Sequence, residues 1–214
     1  ADDDWSTLLH SVASLGPVMA LARNEACVHE LTGDYRHVQI EGKVGLAINP
    51  VVDLRFFLFH WRYAFALEES TPRGPRRSLQ FFDRYGQAIQ KVYLTADSDV
   101  AAFEALRERF AIDKGEAAFD TRPAPEPEQP DNAIDAAAFQ ADWLALKDVH
   151  EFHPLLKQYG LTRPQAFRLA PAGQAWRVRA DAVETLLRRA AATGLPVFAF
   201  PKLREFFVDM RLKA

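Results

Sequence analysis

At 214 residues, with 49% hydrophobic and 26% charged side chains, the chain has the composition of a globular protein with a real core, which excludes disorder as a whole-chain description. A formal net charge of −3 and a pI near 6.1 exclude a global attraction to nucleic acid or anionic lipid, so any such binding needs a local patch. The single cysteine, Cys27, excludes an internal disulfide and fits a reducing compartment, no run reaches the ~20 apolar residues of a membrane span, and the acidic start Ala1-Asp-Asp-Asp4 is unlike a signal peptide, so the cytoplasm is the expected location.

Trp5, Leu8, Leu9, Val12 and Leu15 recur at helical spacing and predict a helix within residues 5 to 23, capped by Asp4 and stopped by Gly16-Pro17. Cys27 is expected to be a small buried apolar side chain. From 27 to 67 the pattern turns β-like, with short segments at 27–31, 37–40, 44–48 and 54–59 punctuated by glycines and Asn49-Pro50, an antiparallel meander. A Gly/Pro/Arg loop is expected at 71–77, followed by a hairpin over 78–94 turning at 84–87 around Gly86, and a helix over 98–111 capped by Ser98 or Asp99. Thr121-Arg-Pro-Ala-Pro-Glu-Pro-Glu-Gln-Pro-Asp131 has four prolines and no core-forming residue, and reads as a stiff solvated linker. Helices follow at 136–147, 150–159, 163–169 and 180–192, then a short strand at 197–200. The domain division expected is a sheet-rich unit over 1–120, the linker over 121–131, and a mainly helical unit over 132–214.

Three stretches could carry chemistry. In Asp148-Val-His-Glu-Phe-His-Pro154, His150 and His153 stand three residues apart at the start of an amphipathic run, on one face of a helix if Asp148 caps it. No cysteine or third histidine completes a closed zinc site, and the apolar neighbours suit a flat macrocycle such as haem, so the choice is between a metal or haem ligand and two surface histidines. Pro154 would disturb the carbonyl of His150 in an α-helix and so predicts a kinked or non-helical backbone there. The loop Arg73-Gly-Pro-Arg-Arg-Ser78 offers guanidinium groups for a carboxylate or phosphate, or is simply solvated, and Arg163 is a similar case. Residues 154–169, two short helices joined through Gly160 with Thr162 as a cap, have the outline of a helix-turn-helix, with Arg163, Arg168, Arg177 and Arg179 as a possible basic face; a plain helical corner is the alternative.

The chain resembles the bacterial cytoplasmic haem-utilisation proteins, the haemin-transport or haemin-degrading factor family, in three separated motifs: Gly16-Pro-Val-Met-Ala-Leu-Ala-Arg-Asn-Glu-Ala-Cys-Val-His-Glu30; Arg77-Ser-Leu-Gln-Phe-Phe-Asp83 continuing to Lys91-Val-Tyr-Leu94; and Trp143-Leu-Ala-Leu-Lys-Asp-Val-His-Glu-Phe-His153 followed by Gln165-Ala-Phe-Arg-Leu-Ala170. The resemblance implies an α+β fold in which a large antiparallel sheet with flanking helices forms the first of two tandem structural repeats, with haem in the cleft between repeats. It implies His150 as the haem-iron ligand, His153 as an alternative ligand, Arg77 on the distal side, Arg163 facing a propionate, and Phe81 and Phe82 as cleft or core aromatics. The resemblance stops near Phe200, so the second repeat is expected to be truncated or incomplete, and a chain opening without Met is expected to be processed, trimmed or incompletely represented.

The functional expectation is a cytoplasmic haem carrier that passes imported haem (haem b) to a haem oxygenase, with no membrane association. The alternatives are a haem-degrading enzyme and a helix-turn-helix regulator that binds DNA through residues 154–169.

Overall fold

In the computed structural model, the structure describes residues 4–23, 28–49, 52–112, 117–124, 126–195, 197–202 and 205–210; Cys27 and residues 211–214 lie outside the described residues. Helix α1 (Asp4–Val12) buries Leu8, Leu9 and Val12, and Leu15 in the following 3-10 turn completes the stripe. Gly16, at φ +68°, reverses the chain in a conformation that a side chain would resist, and Pro17 opens strand β1 (Pro17–Arg23). The α-helix therefore stops at Val12, and Met19-Ala-Leu21, good helix formers, are strand. Strand partners on both sides of β1 override local propensity.

Next in the chain are β2 (Val28–Asp34), then β3 (Val38–Glu41), β4 (Val44–Ile48) and β5 (Asp53–Phe57), then β6 (Tyr63–Thr71), β7 (Gly74–Phe82) and β8 (Ala88–Leu94). They form two antiparallel sheets rather than one meander: a five-stranded sheet in the order β2-β1-β8-β7-β6 and a three-stranded one in the order β3-β4-β5. The Gly/Pro/Arg loop expected at 71–77 is mostly strand. Only Pro72 and Arg73 turn between β6 and β7, and Arg76 and Arg77 sit in the ladder opposite Glu69 and Glu68. Opposite charges facing each other across a strand pair lend the arginine-rich segment an extended conformation that its composition alone does not announce.

Helix α2 (Val100–Phe110) starts where Asp99 accepts a hydrogen bond from the Ala102 N–H at 2.9 Å. Its Phe103 and Leu106 join Leu9, Val12, Val18, Ala20, Leu79, Phe81 and Val92 in one buried cluster, so α1, α2 and one face of the large sheet share a core. Trp61 contacts Trp5, Phe56 and Phe81, with ring centroids 5.6, 5.9 and 4.5 Å away, and ties β5 to that core.

The remaining elements are α3 (Ala136–Ala145), α4 (Phe152–Tyr159), α5 (Arg163–Arg168), α6 (Ala182–Thr193), β9 (Val197–Lys202) and β10 (Glu205–Met210). Phe139, Leu155, Leu156, Leu161 and Ala166 form a second, smaller core. The chain divides into two compact units, residues 1–122 with 196–214 and residues 123–195. Phe200 and Pro201 are successive positions of β9, paired with Phe207 and Phe206 of β10.

Residues 121–131 are not simply solvated. Arg122 donates to Asp83 at 2.8 Å and Gln87 at 2.7 Å beside the β7–β8 turn, and covers the Tyr85 ring at 4.6 Å. Gln129 donates to the Tyr159 carbonyl at 2.6 Å, while Glu128 and Asp131 hold Arg168 at 2.7 and 3.1 Å. The polar residues spaced among the prolines therefore fasten each end of the segment to the unit it adjoins.

Candidate functional site

The Asp148–Glu151 stretch builds its own support. The Asp148 carboxylate accepts from the His150 backbone N–H at 2.7 Å and lies 2.5 Å from His150 Nδ1. The Glu151 carboxylate reaches back to accept from the N–H groups of Lys147 at 2.8 Å and Asp148 at 3.3 Å, which makes a reciprocal capping box. His150 sits in a 3-10 turn, residues 149–151, and α4 begins only at Phe152. The irregular backbone expected from Pro154 is present: proline occupies the third residue of α4, inside the first turn, where a missing N–H costs little.

Electrostatics settles which imidazole nitrogen is free. The backbone N–H and then the ring of His150 hold the Asp148 carboxyl below its ordinary range, so it remains an anion and can only accept. In neutral His150 the proton is therefore on Nδ1, and the lone pair is on Nε2. The His150 side chain is 91% exposed, which leaves Nε2 open to an incoming ligand or metal. Asp148 as the partner of Nδ1, and Glu151 behind it, follow the Asp-x-His-Glu spacing of residues 148–151.

His153 is exposed on the first turn of α4. Arg163 opens α5 with its guanidinium 5.5 Å above the Phe152 ring, and Phe152 stacks on Phe167 at 6.1 Å and meets Trp143 edge-on at 4.7 Å. This aromatic group borders the histidine turn in sequence and was not singled out there. The helix-turn-helix outline resolves into a corner whose second helix has six residues. Two of its four expected basic residues are engaged by carboxylates, Arg168 by Glu128 and Asp131, and Arg179 by Asp181 at 2.7 Å.

In the first unit Arg77 is 23% exposed and ion-paired with Glu68 at 2.7 Å and Glu104 of α2 at 3.8 Å, so it lies on the helix-bearing side of the sheet. Phe81 is fully buried and belongs to the core. Of the two settings expected for it, cleft or core, the second describes its place. Phe82, on the opposite sheet face, is half-buried against Phe65. Arg55 is an arginine bordered by exposed apolar side chains. The β4–β5 register puts it opposite Leu46 on the outward face of the small sheet, with Val44, Ile48 and Phe57, and 3.4 Å from Asp53.

Among the described residues, no group of three or more His, Cys, Asp or Glu is arranged to hold a metal ion, and no helix is long and apolar enough to cross a membrane. A metal at His150 would thus have to bring most of its own ligands.

Residues 1–110 match the haemin-degrading HemS/ChuX domain family. The chain belongs to the HemS/ChuX family. Among relatives of the family, it is 41% identical over 185 residues to the hemin transport protein HmuS of Yersinia pestis, covering 86% of this chain and 53% of that protein. It spans about half the length of the relatives it matches. The structure of holo-PhuS, a heme-binding protein from Pseudomonas aeruginosa, superposes with a TM-score of 0.87 at 43% identity, covering 97% of this chain and 61% of PhuS. ChuS, described as an E. coli heme oxygenase, gives 0.79 at 35% identity over 97% of this chain and 62% of its own. The expected α+β fold, with a large antiparallel sheet and flanking helices as a repeat unit of this family, is the fold observed.

Proposed function

We propose that this chain binds haem b through His150 Nε2 and carries it in the cytoplasm, delivering imported haem to a haem oxygenase. The observation that carries the reading is the Asp148–His150 contact: a carboxylate on Nδ1 fixes the tautomer and raises the basicity of the nitrogen left for iron. A porphyrin supplies four iron ligands of its own, so a lone oriented imidazole is sufficient protein ligation where the described residues form no closed site. The family relatives PhuS and HmuS, by their names a heme-binding and a hemin transport protein, support the same reading.

His153 is the substitute ligand, one helical turn on and also exposed. Arg163, fixed over Phe152 at the start of α5, is the cation for a propionate. Arg77 is proposed for the distal side, where it would have to leave Glu68 and Glu104. Arg77→Ala tests this, since loss of a distal arginine in contact with haem shifts the Soret band and an unchanged band removes Arg77 from the site.

The test of the ligand is a haemin titration. A Soret band in the wild type that is lost or displaced in His150→Ala supports the assignment; an unchanged band in that variant removes it. Haem degradation is the second reading, favoured by the likeness to ChuS. Biliverdin and iron released under a reductant in the presence of catalase, which removes free peroxide, would mark an enzyme, and haem left intact marks a carrier.

A further inference from the structure

We infer that Glu151 is a positioning residue for the His150 ligand, acting through Asp148; this rests on the His150 reading above. A residue at the N-cap ordinarily spends its side chain on the N–H of the second or third helical residue. Glu151 is the N-cap of α4, the third residue is Pro154, which has no N–H, and Glu151 makes no side-chain bond to its own helix. Its carboxylate is thereby released to turn backwards.

What it reaches is the strand of backbone that carries Asp148. Glu151 Oε2 accepts from the N–H groups of Lys147 at 2.8 Å and Asp148 at 3.3 Å, and its own N–H donates to the Asp148 carbonyl at 3.1 Å. With the backbone held on both sides, the Asp148 carboxylate meets the His150 backbone N–H and Nδ1 together. Every group in this relay lies within residues 147–151, and both Asp148 and His150 are largely exposed, so no packing from elsewhere holds the imidazole in place. The hydrogen bonds alone set its direction. Pro154 and Glu151 are coupled: an N–H restored at position 154 would compete for the carboxylate.

The direct experiment needs no haem. Nitrogen-15 spectra of the full chain should show His150 mainly as the Nδ1–H tautomer; Glu151→Ala should move it toward a mixture, Glu151→Gln, which keeps an acceptor oxygen, should stay near wild type, and Pro154→Ala should move it in the Glu151→Ala direction by less. In haemin titrations Glu151→Ala should bind about tenfold more weakly, the scale of outer ligand-orienting groups, and should add nothing in a His150→Ala background. An unaltered tautomer in Glu151→Ala overturns the inference even if His150→Ala abolishes the Soret band. Conversely, an unaltered Soret band in His150→Ala removes His150 as the iron ligand while the tautomer result still decides the role of Glu151.

Discussion

Single side chains in this protein act through the one or two polar atoms placed beside them. Asp148→Asn is expected to bind haemin about tenfold more weakly while keeping a Soret band, because the amide can turn either its oxygen or its NH2 toward Nδ1 and so no longer fixes the Nδ1–H tautomer as a carboxylate does; equal affinity in a titration would mean that Asp148 does not orient His150. Tyr35 shows the same dependence inside the core. It is fully buried, stacks on Phe56, and its hydroxyl is the partner of Gln90, itself buried; burial pushes the phenol above its ordinary range, so it stays protonated. Tyr35→Phe leaves the Gln90 amide unpaired, and denaturant unfolding should show a loss of about 1–3 kcal/mol. His150 as a candidate ligand was legible from its spacing to His153 and its place in the third family motif. Its exposure and the division of labour between its nitrogens were not, since they depend on which neighbour the side chain of Asp148 meets.

At the scale of elements, termini and connections decide more than propensity does. The proline-rich segment looks like an inert spacer in sequence, yet Gln165, wholly buried in α5, donates to the Gln129 carbonyl at 2.7 Å and Asp131 at 2.8 Å, and Arg168 closes the same knot. Arg168→Ala should therefore speed protease cleavage within residues 121–131 relative to wild type, with α4 and α5 still helical by circular dichroism. The pH dependence has a definite sign. Glu128 is held below its ordinary range by the Thr162 hydroxyl and then by Arg168, and Asp131 by Arg168 and then Gln165. Groups depressed on folding contribute above their ordinary pKa, about 4 for carboxylates, and lose that contribution as the pH falls through the depressed values. Cleavage of the segment should be flat at neutral pH and rise only below about pH 4. Most helices read in the sequence recur within a few residues, with Asp99, Asp135 and Thr162 as caps, because caps and periodicity are local signals. β1 and the Arg76–Arg77 part of β7 escaped because a strand is stabilised by the strands it pairs with rather than by its own residues, here β2 with β8 and β6 with β8.

For the whole molecule, the unequal cores carry a prediction of their own. The first unit gathers α1, α2 and two sheets around residues such as Leu9, Phe56, Phe81 and Phe103, whereas the second rests on Phe139, Leu155, Leu156, Leu161 and Ala166. Smaller cores leave smaller margins, so calorimetry should resolve two transitions, with Leu156→Ala lowering only the first. Haemin at about a hundred times its Kd should add roughly 2.7 kcal/mol to the transition that includes the His150 turn; a single transition that moves as one would contradict independent units. The sequence by itself determined that this is a folded α+β protein of the HemS/ChuX family, where most helices lie, and which histidine to suspect, since composition, periodicity and motif order are properties of the chain. Only the tertiary structure decided that Arg77 is tied to Glu68 and Glu104, that Phe81 is core, that the linker is latched, and that His150 offers Nε2. Each of those depends on side-chain atoms meeting across strands, helices and turns, and such meetings are fixed by register and packing rather than by the order of residues alone.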